Sequence, residues 1–132
     1  TNIKFINKLH SSIINVYIDN SQISRALQNL IVNSIHSISE SKKKDGEIIY
    51  SSYEIDNSVV ISLIDNGLGL KYEKEELIKP YFTTKKKIGG SGLGLAIVEK
   101  ILFDHHADFI LENRSDGKVG ADVKIIFGKT II

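Results

Sequence analysis

Three short stretches of this sequence combine residue types and spacings that can do chemistry. In the first, Arg25, Asn29, Asn33 and His36 recur at intervals of four, four and three. On a helix that spacing aligns them as one polar ridge beside an apolar arc. An Asn carbonyl is a neutral oxygen ligand suited to a hydrated Mg²⁺ that shares its shell with a substrate's phosphate oxygens. Asn29 and Asn33 also admit a plainer reading, as boundary residues between core and solvent. The second stretch is Val59-Val60-Ile61-Ser62-Leu63-Ile64-Asp65-Asn66-Gly67-Leu68-Gly69. Strand alternation puts Asp65 on the face of Val59, Ile61 and Leu63. A carboxylate ending a buried stripe needs a donor. An exocyclic amine such as that of adenine would serve, with Gly67 and Gly69 letting the backbone approach a ring. The plainer reading is a capping Asp in an ordinary turn.

The third stretch, Gly89-Gly90-Ser91-Gly92-Leu93-Gly94-Leu95, runs straight into a helical pattern. Free N–H groups and the dipole at such a helix start can cradle phosphates. It follows a loop rather than the first strand of a βαβ unit, and no Gly-Lys-Ser/Thr follows it. Neither a Rossmann nor a Walker A reading therefore fits its context. Just upstream, Pro80-Tyr81-Phe82-Thr83-Thr84-Lys85 offers an aromatic anchor, two hydroxyls and a cation, and Lys85, Lys86 and Lys87 could reach phosphates. A solvated loop would carry the same residues.

Elements must bring these stretches together. Residues 2–7 and 13–18 read as short strands around a polar turn. Asp19, Asn20 and Ser21 are all good caps for a helix over 21–40, whose apolar residues Ile23, Ala26, Leu27, Leu30, Ile31, Ile35 and Ile38 keep helical spacing. Residues 47–55 and 58–65 flank Asp56-Asn57 as a β-hairpin. Residues 66–91 look irregular, 92–105 helical, and 109–113 and 121–127 read as strands around a Gly117/Gly120 turn. The order β-β-α-β-β-loop-α-β-β suits helices packed on one face of a mixed sheet, a two-layer α+β domain.

Composition narrows the rest. The chain has 132 residues, 42% of them hydrophobic and 25% charged, with ten Gly and one Pro, which excludes collagen-like, low-complexity and largely disordered readings. A net charge of +1 offers no global field for nucleic acid or an anionic membrane, so no nucleic-acid partner and no direct membrane contact are expected. Without Cys there is no disulfide, thiolate metal site or cysteine nucleophile. No apolar run approaches the length of a bilayer span. Because the first residue is Thr1 and not Met, the chain is expected to be a piece of a longer protein.

Taken in order, these motifs resemble the ATP-binding catalytic domain of two-component sensor histidine kinases, in the GHKL (Bergerat-fold) superfamily. Asn29-Leu30-Ile31-Val32-Asn33 is similar to the family's N box and Asp65-Asn66-Gly67-Leu68-Gly69 to the G1 box. Pro80 to Lys85 matches the F box, Gly90 to Leu95 the G2 box, and Gly120-Ala121 stands where the last glycine motif falls. The Pro-Tyr-Phe-Thr-Thr-Lys run and the Gly-Ala pair resemble those of nitrogen-regulation sensor kinases, the NtrY type more than the NtrB type.

The resemblance implies a two-layer α/β sandwich, its mixed sheet covered on one face by about three helices. Residues 1–132 would form one catalytic domain, with a mobile ATP lid over about 66–91. It implies ATP and Mg²⁺ as cofactors, with Asn33 as the metal ligand and Asn29, Asn33 and Lys85 as the catalytic residues. Asp65 would accept from the adenine amine, Gly67 and Gly69 would shape the base pocket, and Phe82 would anchor the lid beside Thr83 and Thr84. Gly90, Ser91, Gly92, Leu93, Gly94 and Leu95 would surround the phosphates. His36 stands where many members carry a basic residue, and Ala121 stands at the nucleotide where Thr is common. His106 and Ala107 replace a usual Gly pair, so a local turn difference is expected there.

Implied partners are a histidine-bearing dimerisation domain of the same parent and a downstream response regulator, in the cytoplasm. The parent would be a homodimer, and this piece a monomer. None of His10, His36, His105 or His106 has the sequence context of the phosphoacceptor. Related ATPases place a water-activating Glu where Asn29 stands, which separates them from this chain. A serine kinase of the anti-sigma type and a non-catalytic nucleotide-binding module are the other readings.

Overall fold

The computed structural model describes residues 2–9, 16–79 and 94–128. Their elements run β1 (Asn2–Lys8), α1 (Asn20–Ser41), β2 (Asp45–Ile55), β3 (Ser58–Asp65), α2 (Lys74–Leu77), α3 (Gly94–Asp104), β4 (Asp108–Asn113) and β5 (Ala121–Gly128). The strands form one mixed sheet in the order β1-β2-β3-β5-β4, antiparallel except for the β1–β2 pair. This is the α+β arrangement the sequence predicts.

Local chemistry explains the boundaries. The extended residue Asp19 caps α1 by accepting from the Gln22 N–H at 3.1 Å. Ile23, Ala26, Leu30 and Ile38 then recur on the buried side of the helix. The helix ends where Lys42 turns left-handed, at φ 58°, and donates its N–H to the Ser39 carbonyl. In the β2–β3 hairpin, Ile55 pairs with Ser58, and Asp56 takes the positive φ (54°) that a tight two-residue loop demands.

The core lies between one sheet face and the two long helices. Val98, Ile101 and Leu102 of α3 join the buried residues of α1 over Ile48, Leu63, Phe109, Val123, Ile125 and Phe127. On the opposite face the buried Ser62 hydroxyl donates to Asp122 at 2.7 Å. The Lys124 ammonium is 3.3 Å from Asp122 and also pairs with Glu112. That hydrogen bond to Glu112 is the main reason the ammonium titrates above its usual range, against the opposing effect of burial.

Two expectations change. The strand over 13–18 is not found where it is described: residues 16–18 have no regular structure, and 13–15 lie outside the described residues. β1 pairs instead with β2, in parallel. Tyr17 and Ile18 are left exposed, and the Asp19 N–H bonds to the His105 ring at 2.9 Å instead of to a strand. β-propensity was a poor guide here because a strand needs a neighbour. Within the charged part of the supposedly irregular segment sits α2, a single turn with Glu75 and Glu76 at its N-terminal end. Lys74 ties it to α3 through Glu99 at 3.4 Å and lies 5.2 Å from the centre of the Phe109 ring.

Candidate functional site

The site begins at the end of β3. Asp65 is 3% exposed and faces the helices, as alternation along β3 predicts. One of its carboxylate oxygens, Oδ1, accepts from the Gly67 N–H at 2.9 Å and the Ala121 N–H at 3.4 Å. The second contact exists because β5 lies beside β3, with Ile64 opposite Asp122. Both main-chain donors use the same oxygen, and neither occupies Oδ2. An incoming N–H would find its acceptor there.

Residues 66–70 are held from three sides. The Asn66 side chain accepts from the Glu47 N–H at 2.7 Å and donates to the Asp45 carbonyl at 3.0 Å, fastening the turn to β2. The Lys43 ammonium donates to the Asn66 carbonyl. From α1, the Ser37 hydroxyl accepts from the Leu68 N–H at 2.9 Å. A Cβ on Gly67 would fall 2.3 Å from that hydroxyl oxygen, so only glycine lets the turn lie so close to the helix. From the end of β4, Asn113 bonds both the N–H and the carbonyl of Leu70, and Arg114 reaches the Asp65 carbonyl at 3.2 Å.

The polar ridge of α1 links this turn to the start of α3. Asn29, Asn33 and His36 are half-buried and Arg25 is exposed. The Asn29 amide oxygen is 3.9 Å from where a Cβ of Gly94 would sit. Asn29 and Ser37 are eight residues apart, about 12 Å along a helix. At one end of the ridge is the turn after Asp65, at the other the first residue of α3. Gly94 opens α3, and Leu95 packs partly against the core.

Asp65, Gly67 and Ala121 thus meet at one carboxylate oxygen, and Gly69 lies in the same turn. Asn29 stands by Gly94 at the start of α3, with Asn33 and His36 half-buried on α1 between that start and the turn. Phe82, Thr83, Thr84, Lys85, Gly90, Ser91, Gly92 and Leu93 lie outside the described residues. Ser37, Lys43, Asn113 and Arg114 were not singled out from the sequence. Ser37 could have been found, since it follows Asn33 by one helical turn. Arg114 is one of only two arginines, but nothing in the sequence says which carbonyl it reaches. His105 has both ring nitrogens engaged, one against the Ile101 carbonyl at 2.7 Å and the other accepting from the Asp19 N–H. Among the described residues no group of three or more His, Cys, Asp or Glu side chains is arranged to hold a metal.

Comparison with known proteins gives a consistent picture. Residues 18–131 match the family described as "Histidine kinase-, DNA gyrase B-, and HSP90-like ATPase". The chain is 36% identical over 111 residues to nitrogen regulation protein NtrY of Azorhizobium caulinodans, covering 81% of this chain and 14% of that protein. It is 30% identical over 108 residues to the signal transduction histidine-protein kinase AtoS of Escherichia coli, covering 80% of this chain and 17% of that one. The chain therefore spans less than a fifth of the length of either relative. Among solved structures, the catalytic domain of histidine kinase ThkA superposes with a TM-score of 0.79 at 30% identity, covering 97% of this chain and 80% of that one. The complex of ThkA with response regulator protein TrrA matches with a TM-score of 0.74 at 28% identity, over 97% of this chain and 34% of the kinase chain.

Proposed function

Because the chain belongs to the histidine kinase-, DNA gyrase B- and HSP90-like ATPase family, we propose that it binds Mg-ATP and donates the γ-phosphoryl group to a histidine on a separate dimerisation domain. The observation that carries this reading is the half-used carboxylate of Asp65. Its Oδ1 is held by two main-chain N–H groups, while Oδ2 is left for a donor such as the adenine amine. The α1 ridge leads from that carboxylate to the start of α3, where helix-terminal N–H groups favour phosphate. Gly67 and Gly69 shape the base end; Gly94, Leu95 and the glycine-rich run before them form the phosphate end. The family resemblance assigns about 66–91 to an ATP lid, with Phe82 as its anchor and Thr83, Thr84 and Lys85 as nucleotide-binding residues. Its first residues, 66–70, are fastened to β2, α1 and β4.

The ridge fits a hydrated divalent ion, because Asn29 and Asn33 offer neutral oxygen donors, half-buried, on successive turns. Asn33 is the residue we assign to Mg²⁺; His36, about one turn further along α1 toward the Asp65 turn, is the weaker member of the ridge. When bound, the ion supplies charge neutralisation on the phosphate oxygens. The protein's own part is positioning: Asp65 fixes the base, the ridge and Lys85 orient the phosphates, and the γ-phosphoryl is presented for in-line attack by an imidazole nitrogen. Asn29 cannot activate water, because an amide is not a base, and that favours transfer to a histidine over hydrolysis. The histidine belongs to another domain of the same parent protein, and a response regulator takes the phosphoryl group from it, as the ThkA–TrrA complex suggests by analogy. The domain would work in the cytoplasm, in a homodimeric parent.

Calorimetric titration of Mg-ATP into the wild-type chain and Asp65→Asn, with phosphate release followed in parallel, tests this. In the variant, the side-chain oxygen stays on the Gly67 and Ala121 N–H groups, so its NH₂ must face the adenine amine, donor against donor. We expect affinity to fall by about tenfold or more, since a hydrogen bond to a charged group contributes roughly 1.5–3 kcal/mol. Phosphate release should be negligible, with transfer appearing only when a histidine hairpin is supplied. Equal affinity in the two proteins, or rapid hydrolysis by the chain alone, would refute the reading.

A further inference from the structure

We propose that Asn113 and Arg114 are positioning residues for the base contact, setting the direction of the Asp65 carboxylate by gripping both ends of the turn that follows it. The proposal rests on the nucleotide reading above. These neighbours close β4, and each takes hold of main-chain groups of a segment more than forty residues away in sequence. Asn113 accepts from the Leu70 N–H at 2.6 Å and donates to the Leu70 carbonyl at 3.1 Å, meeting that residue as a strand partner would. Arg114 donates to the Asp65 carbonyl at 3.2 Å, and its side chain is only 5% exposed.

The guanidinium is itself aimed. Asp116 accepts from its Nε at 3.1 Å and from its Nη2 at 2.6 Å, a two-pronged pair that leaves Nη1 directed at Asp65. Arg114 also closes the turn, donating its N–H to the Gly120 carbonyl at 3.0 Å. Two glycines make room for the grip. A Cβ on Gly69 would sit 2.8 Å from the Asn113 amide oxygen, and one on Gly120 would sit 1.9 Å from the Asp65 carbonyl oxygen.

The consequence for Asp65 follows from peptide geometry. Its carbonyl belongs to the planar 65–66 peptide, whose N–H, on Asn66, donates to the Glu47 carbonyl at 3.2 Å. With β2 holding its N–H side and Arg114 its carbonyl side, this peptide is a fixed base for the residue that leads to the Gly67 N–H, the shorter of the two bonds on Oδ1. Arg114 therefore helps hold the direction in which the second carboxylate oxygen points, and Asn113 stops the far end of the turn from unwinding. Neither residue needs to touch the nucleotide.

The test compares ATP with inosine triphosphate, which carries the same phosphates but a carbonyl in place of the exocyclic amine. Both are titrated with Mg²⁺ into the wild-type chain, Asn113→Ala, Arg114→Ala and Arg114→Lys. The wild type should prefer ATP by about tenfold or more, the scale of one charge-assisted hydrogen bond. In the two alanine variants the ATP affinity should fall by about fivefold or more while the inosine nucleotide binds as before, so that the preference collapses. Arg114→Lys keeps a donor for the Asp65 carbonyl and should recover part of it. Partial unfolding would lower the binding stoichiometry of both nucleotides without changing their ratio. Unchanged preference in both alanine variants, or equal loss for the two nucleotides, would overturn the positioning role and leave the nucleotide reading standing. Failure of the folded wild type to bind ATP would overturn both.

Discussion

Gly120 is the position where this fold should tolerate change least, and the size of the effect can be worked out. The residue has φ of 147°, and a Cβ built on it lies 1.9 Å from the Asp65 carbonyl oxygen and 2.9 Å from Arg114 Cδ. A comfortable C···O contact is about 3.3 Å, so Gly120→Ala demands a movement of roughly 1.4 Å. The atom in the way is backbone, pinned in the sheet and held by Arg114, and cannot swing aside as a side-chain tip would. Forcing it costs about 1–3 kcal/mol as overpacking, and the backbone conformation adds about 1–3 kcal/mol for a non-glycine residue.

Gly117, three residues away in the same turn, separates these contributions. Its φ is 80°, but nothing lies within 4 Å of a built Cβ. Gly117→Ala should therefore show only the conformational cost, about 1–2 kcal/mol. Urea unfolding of both variants measures the difference. With an m value of about 1.5 kcal/mol/M, a steric contribution of about 2 kcal/mol lowers the Gly120→Ala midpoint by more than 1 M below that of Gly117→Ala. Because the clash falls on Asp65, Gly120→Ala should also weaken Mg-ATP binding where Gly117→Ala does not. Equal midpoints for the two variants would refute the close-approach argument.

Other expectations follow from the same contacts. His106 carries a φ of 56°, so His106→Gly should raise stability by up to about 1 kcal/mol, read as a higher melting temperature, the strain relieved exceeding the extra freedom of the unfolded chain. Asp116 titrates below its ordinary 3.8, chiefly through its hydrogen bond to Arg114, so its stabilising contribution is present above that value and is lost as pH falls through the lowered one. The stability gap between the wild type and Asp116→Asn should therefore narrow on acidification below about pH 4, as equilibrium unfolding across that range will show. Ser62→Ala removes a buried donor to the Asp122 carboxylate on the sheet face away from the helices. It should cost about 1.5–3 kcal/mol in chemical unfolding and leave the nucleotide dissociation constant unchanged.

Much of the architecture was legible because it is written in local periodicity. The apolar spacing from Ile23 to Ile38, the capping Asp19 and the Asp56-Asn57 turn are short-range signals, and α1 and the β2–β3 hairpin lie within two residues of where those signals place them. Residues 16–18 misled for the complementary reason. Their β-branched and aromatic character favours extension, but whether extension becomes a strand depends on a partner, and β1 takes β2 instead. The single turn of α2 was missed because it has no apolar period, and its anchor, the Lys74–Glu99 pair, joins residues 25 apart.

The candidate site divides along the same line. Alternation along β3 by itself turns Asp65 toward the apolar side, and the intervals of four, four and three by themselves align Arg25, Asn29, Asn33 and His36 on one side of a helix. These follow from the fixed periods of strand and helix and need no tertiary information. That Ser37 receives the Leu68 N–H was decided only when α1 packed on the sheet, and that the Ala121 N–H reaches Asp65 and Asn113 and Arg114 grip the turn only when β5 came between β3 and β4. Each of those contacts has a main-chain group as one partner, and main-chain hydrogen-bonding capacity is the same at almost every residue. The sequence carries no mark of such pairings, and only the packing of sheet on helix selects among them.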